Sequence, residues 1–144
     1  MSVFVRQNVL SPELPEAGHK RINWSRLYGS AKSLALANLA EQNECPITVI
    51  TADTISAVNL INELKVYCAD LNSTPVITLP DWETLPYDLF SPYQDIISER
   101  LQTLFNLPGF NKGILVVPVT TVMHRLLPID YLLANSLVLD VGQT

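Results

Sequence analysis

Two rhythms of apolar residues alternate along the chain: short, nearly unbroken β-branched runs, and longer stretches with apolar side chains three and four positions apart. The segment AKSLALANLAEQ is rich in Ala and Leu and predicts a helix over 31–43, with Ser30 placed to cap its free N–H groups. Pro46 precedes Ile47-Thr48-Val49-Ile50-Thr51, whose nearly continuous apolar character predicts a strand buried on both faces. Ala57, Leu60, Ile61, Leu64 and Tyr67 then trace one stripe of a helix over 54–69, capped by Asp53 or Thr54, with Asn59, Asn62, Glu63 and Lys65 turned mostly to water.

A short strand is predicted from Pro75 to Leu79. Beyond a proline-punctuated stretch, Ser91, Pro92 and Gln94 have the residue types of a capping box ahead of Ile97, Leu101, Leu104 and Phe105, and Pro108-Gly109 stops that helix. Gly113 opens the strand ILVVPV, Thr120 or Thr121 caps a short helix VMHRLL, and Ser136 to Val141 reads as a last strand. Strands that alternate with helices call for right-handed crossovers and a mostly parallel sheet covered by helices on both faces, an α/β fold. Residues 1–18, with Pro12, Pro15 and Gly18 and no sustained period, read as an irregular lead-in, so the fold is expected to begin near His19 and to form one domain over 19–144. The chain stops directly after the last predicted strand, which reads as a domain cut at a boundary.

With 144 residues, nearly half of them hydrophobic, the chain is long enough to bury a real core. Its net charge of −5 argues against a surface that neutralises phosphates, so direct DNA binding is not expected. Cys45 and Cys68 lack CxxC spacing and sit in apolar runs, which predicts buried thiols in a reducing compartment. His19 and His124 belong to no ligand cluster, so no metal site is expected. The N-terminus has no apolar signal core, and the apolar run Ile114 to Val119 is too short to span a membrane, so the expected location is the cytoplasm, away from the membrane.

Three stretches carry candidate chemistry. The phosphate-loop pattern GxxxxGK[ST] needs glycines where the backbone approaches phosphate. Laid on Arg26-Leu27-Tyr28-Gly29-Ser30-Ala31-Lys32-Ser33, Lys32 and Ser33 match, but Arg26 and Ala31 stand at both glycine positions. A side chain there costs about 1–2 kcal/mol where a left-handed backbone is required. Gly29 and Ser30 still leave room for weak anion binding ahead of a helix, but no useful ATP affinity follows. Asp140, at the end of an apolar run, resembles a metal-holding carboxylate only as any strand exit does. No Ser/His/Asp order, nucleophile elbow or carboxylate pair supports catalysis. The stretch Leu79 to Asp95 holds Trp82, Tyr87, Phe90 and Tyr93 beside Asp81, Glu83, Asp88 and Asp95, with no Lys or Arg between Lys65 and Arg100. Without basic partners these aromatics suit a braced loop or a protein-contact surface, with Trp82, Glu83, Tyr87, Asp88, Phe90 and Tyr93 as its candidates, rather than a single-strand stacking platform.

The string LPDWETLPYDLFSPYQDIISERLQTLFNLP, followed by GILVVPVTTVMHRLLP, resembles the N-terminal region of the transcription-repair coupling factors (Mfd), from about Trp24 to Gln143. The resemblance implies a UvrB-like, RecA-like domain of the P-loop NTPase class with a degenerate phosphate loop, to which Arg26, Gly29, Ala31, Lys32 and Ser33 correspond. It also implies a parent that translocates on DNA with ATP and Mg, removes stalled RNA polymerase and recruits UvrA for nucleotide excision repair. Those activities and partners would lie in domains outside this chain, which would itself hold no cofactor and serve as their scaffold in cis. Two rivals stand beside this reading: a nucleotide-binding domain of a UvrB or helicase-type enzyme, which should carry an intact phosphate loop, and a free-standing protein-interaction module.

Overall fold

The computed structural model describes residues 4–6, 8–12, 14, 21–69, 74–84, 89 and 91–136. Strands β1 (Phe4–Arg6) and β2 (Asn23–Ser25) pair in parallel as a small separate sheet. Helix α1 (Ala31–Gln42), strand β3 (Ile47–Thr51), helix α2 (Thr54–Tyr67), strand β4 (Val76–Thr78), helix α3 (Gln94–Asn106) and strand β5 (Ile114–Pro118) follow, and the short helices α4 (Val119–Met123) and α5 (Ile129–Asn135) come last. The main sheet is parallel throughout, in the order β3-β5-β4.

β5 is central because its five residues, Ile-Leu-Val-Val-Pro, are all buried and can be covered on both faces. Its alternation sorts two cores. Ile114 and Val116 face Ala37 and Ala40 of α1 and Ala57, Leu60 and Leu64 of α2, whereas Leu115 and Val117 face Leu79 with Leu104, Leu107 and Phe110 from the α3 side. Helices therefore cover both faces of a parallel sheet, as the alternation of periods predicts. Gly113, at φ +125°, lets the chain enter β5 against Pro75, whose carbonyl accepts from Ile114 N at 2.9 Å.

Several local expectations are corrected. Among the described residues β3 is an edge strand, and its Thr48 and Ile50 are exposed, Ile50 by 57%, so it is not buried on both faces. The segment read as an irregular lead-in contains β1, so regular structure starts well before His19. That lead-in is also docked, since Asn38 of α1 donates to the Val9 carbonyl at 3.1 Å. The capping box does not form: α3 begins at Gln94 with Tyr93 as its N-cap and no side-chain cap bond, because Pro92 precedes an extended residue rather than a first turn. Thr120 and Thr121 lie inside α4, whose N-cap is Pro118, and α5, unrecognised in the sequence, completes the far face. Asp53, by contrast, caps α2 as expected, its Oδ1 accepting from Ser56 N at 2.6 Å. Cys68 is buried, but Cys45 is exposed in the loop after α1. The predicted last strand beyond Ser136, with Asp140, and likewise His19 lie outside the described residues.

Candidate functional site

The order strand, turn, helix that a phosphate loop needs is present in β2, Arg26–Ser30 and α1, but β2 pairs with β1 outside the three-stranded sheet. Two residues of the turn are left-handed, Arg26 at φ +61° and Gly29 at φ +55°. For Arg26 this backbone costs roughly 1–3 kcal/mol and persists only because its surroundings impose it. Lys32 is exposed in the first turn of α1, and Ala31 is half-buried. Ser33 is fully buried, and its hydroxyl donates to Oε2 of Glu63 on α2. Ser30, expected to cap α1 with its side chain, makes no such bond; its Oγ accepts from the Tyr67 hydroxyl at 2.9 Å. The residues the motif singles out are thus brought together, but the hydroxyl at its serine position is already engaged by a carboxylate.

The aromatic stretch is organised by a residue that the sequence reading passed over. Arg100 is 2% exposed; its guanidinium lies over the Trp82 ring, with Cζ 4.2 Å from the ring centroid, and Nη1 donates to the Pro80 carbonyl. Asp81 accepts from Trp82 N at 2.9 Å through Oδ1 and from Thr120 Oγ1 at 2.7 Å through Oδ2, tying the loop after β4 to α4. Burial pulls the Arg100 pKa down from its ordinary value, and the Asp81 charge opposes that shift. A signal for Arg100 was available, since it stands three residues after Ile97 and four before Leu104, on the inward stripe of α3. Trp82 itself is partly buried, with Arg100 on its ring. Glu83 is exposed in a left-handed backbone (φ +57°), and Tyr93 is 79% exposed at the start of α3. Tyr87, Asp88 and Phe90 lie outside the described residues.

Next to this loop a cavity of about 320 Å³ opens between α2 and α3 over the ends of β4 and β5, with Asn62, Lys65, Glu83 and Glu99 among its polar walls. Farther along α3, Leu104, with Leu107, Leu126, Leu127 and Leu132, lines an apolar groove of about 360 Å³. Among the described residues no group of three or more His, Cys, Asp or Glu side chains is placed to hold a metal ion, and no helix is long and apolar enough to cross a membrane.

The chain is similar to proteins named transcription-repair-coupling factor. The Haemophilus influenzae relative is 42% identical over 131 residues, which is 91% of this chain and 11% of the relative. The Escherichia coli relative is 41% identical over 128 residues (89% and 11%), and that of Myxococcus xanthus 30% over 128 residues (86% and 11%). The resemblance carried by the LPDWETLPYD and GILVVPVTT strings is therefore shown across most of the chain, which spans only about one ninth of these relatives' length. No family model matches the chain.

Proposed function

We propose, on the premise that this chain is the counterpart of one segment of the transcription-repair-coupling factors, that it is a non-catalytic α/β scaffold domain within such a protein. The observation that carries this reading is the match at 41–42% identity over about 90% of the chain to 11% of each relative. In this reading the domain is UvrB-like and RecA-like, and its phosphate loop at Arg26, Gly29, Ala31, Lys32 and Ser33 is degenerate. Support comes from the two missing glycines and from Ser33, whose hydroxyl is bonded to Glu63 and is not free to face a magnesium ion. ATP and Mg would then be used by motor domains elsewhere in the parent. Displacement of RNA polymerase and recruitment of UvrA would likewise belong to other domains, for which this one supplies a rigid base in the cytoplasm. The enzyme reading is disfavoured by the same loop.

Grafting residues 1–144 in place of the matching stretch of the Escherichia coli relative tests the proposal. The chimera should retain preferential repair of the transcribed strand after ultraviolet damage. Failure of a soluble, folded chimera to do so would overturn the scaffold reading. In a titration at micromolar concentration the isolated chain should show no saturable binding to UvrA.

A further inference from the structure

The first turn of α1 is held from outside at two hydroxyls. Ser33 donates to Glu63, and Ser30 accepts from Tyr67 at 2.9 Å. Both partners belong to α2 and stand four residues apart, so one face of that helix delivers them together. At the N-cap position Ser30 satisfies no N–H group of its own helix, although that is the ordinary use of a hydroxyl there. The turn they fix carries Arg26 in a left-handed backbone, a conformation that costs a non-glycine residue energy and needs outside support.

We infer that Glu63 and Tyr67 form a clasp that holds the Arg26–Ser33 turn shut against α2, ordering by internal side chains what an open turn would leave loose. The clasp also sets a carboxylate beside the positive end of the α1 dipole, where it repels an incoming anion. The idea goes beyond the scaffold reading and rests on it only for this last consequence.

Trypsin reads the clasp directly, because Lys32 lies in the first turn of α1 and is cut only when that turn opens. Removing Glu63→Ala or Tyr67→Phe should speed cleavage after Lys32 roughly fivefold each, the double variant more, and Glu63→Gln, which keeps an acceptor, less than Glu63→Ala. Amide exchange in β5 should change far less than exchange at 30–34. Unchanged cleavage in a folded double variant would overturn the clasp and leave the scaffold reading intact. Should the double variant fail to fold, Tyr67→Phe, which removes a single oxygen, decides alone by the same criterion. Protection of Lys32 in the unmodified chain by millimolar Mg-ATP would overturn the clasp and the scaffold reading together.

Discussion

The Arg100 guanidinium, with Cζ 4.2 Å from the Trp82 ring centroid, is the buried cation on which the loop after β4 is built. Arg100→Ala leaves the Pro80 carbonyl without its donor and the Trp82 ring without its cover. Urea denaturation should show a loss of about 2–4 kcal/mol, the range for removing a buried, hydrogen-bonded charge. A double-mutant cycle with Trp82→Ala should return a coupling of roughly 1–2 kcal/mol, and a value near zero would show that the stacking contributes nothing.

Gly113→Ala should be among the most damaging small changes in the chain. At φ +125° an added Cβ would run into the Pro75 carbonyl oxygen and lie 2.8 Å from Phe110 Cζ. That backbone oxygen accepts from Ile114 N and cannot retreat without breaking the entry to β5. Strain and clash together should cost about 3 kcal/mol, visible as a lower urea midpoint.

The two sides of the sheet should respond unequally to truncation. Leu64→Ala empties a site that is fully buried against Ile114 and Val116 and should cost about 2–5 kcal/mol. Ile50→Thr, on the exposed face of edge strand β3, should change stability by less than about 0.5 kcal/mol. Thermal melts of both variants check the contrast.

Asp53 gives α2 a pH-dependent cap. The backbone N–H of Ser56 is the main cause that lowers its pKa from the ordinary 3.8, so the ionised form is favoured in the folded state. The stabilisation is complete above about 3.8 and is lost as the pH falls through the lowered folded value. Asp53→Asn, which still accepts from Ser56 but does not titrate, should flatten this part of the acid-denaturation profile. An unchanged profile would show that the cap charge is not involved.

Lys32→Ala should leave the melting temperature nearly unchanged, because Lys32 is exposed and the neighbouring Ser33 hydroxyl donates to Glu63 whether or not Lys32 is present. Millimolar Mg-ATP should shift the melting temperature of either protein little, since a ligand far below its dissociation constant adds little stability. Stabilisation by Mg-ATP that disappears in Lys32→Ala would show a live nucleotide site.

Local chemistry made much of this fold legible. Asp53 could be read as a cap because capping needs only its own neighbours, and the 57, 60, 61, 64 stripe of α2 could be read because periodicity is local. The runs at 47–51 and 114–118 announced parallel strands for the same reason, and the LPDWETLPYD string carried the family resemblance. Which strand lies in the centre was a tertiary decision: both runs are apolar, but among the described residues β5 has neighbours on both edges and β3 on one, leaving Ile50 of β3 in water. The pairing of β1 with β2 joins residues across an intervening segment with no pattern of its own, so nothing nearby in the sequence could reveal it. The same holds at the candidate sites. Sequence showed that Arg26 and Ala31 stand where glycines would be needed, but Glu63 reaches Ser33 from 30 residues away and Arg100 reaches Pro80 from 20, distances that folding alone closes.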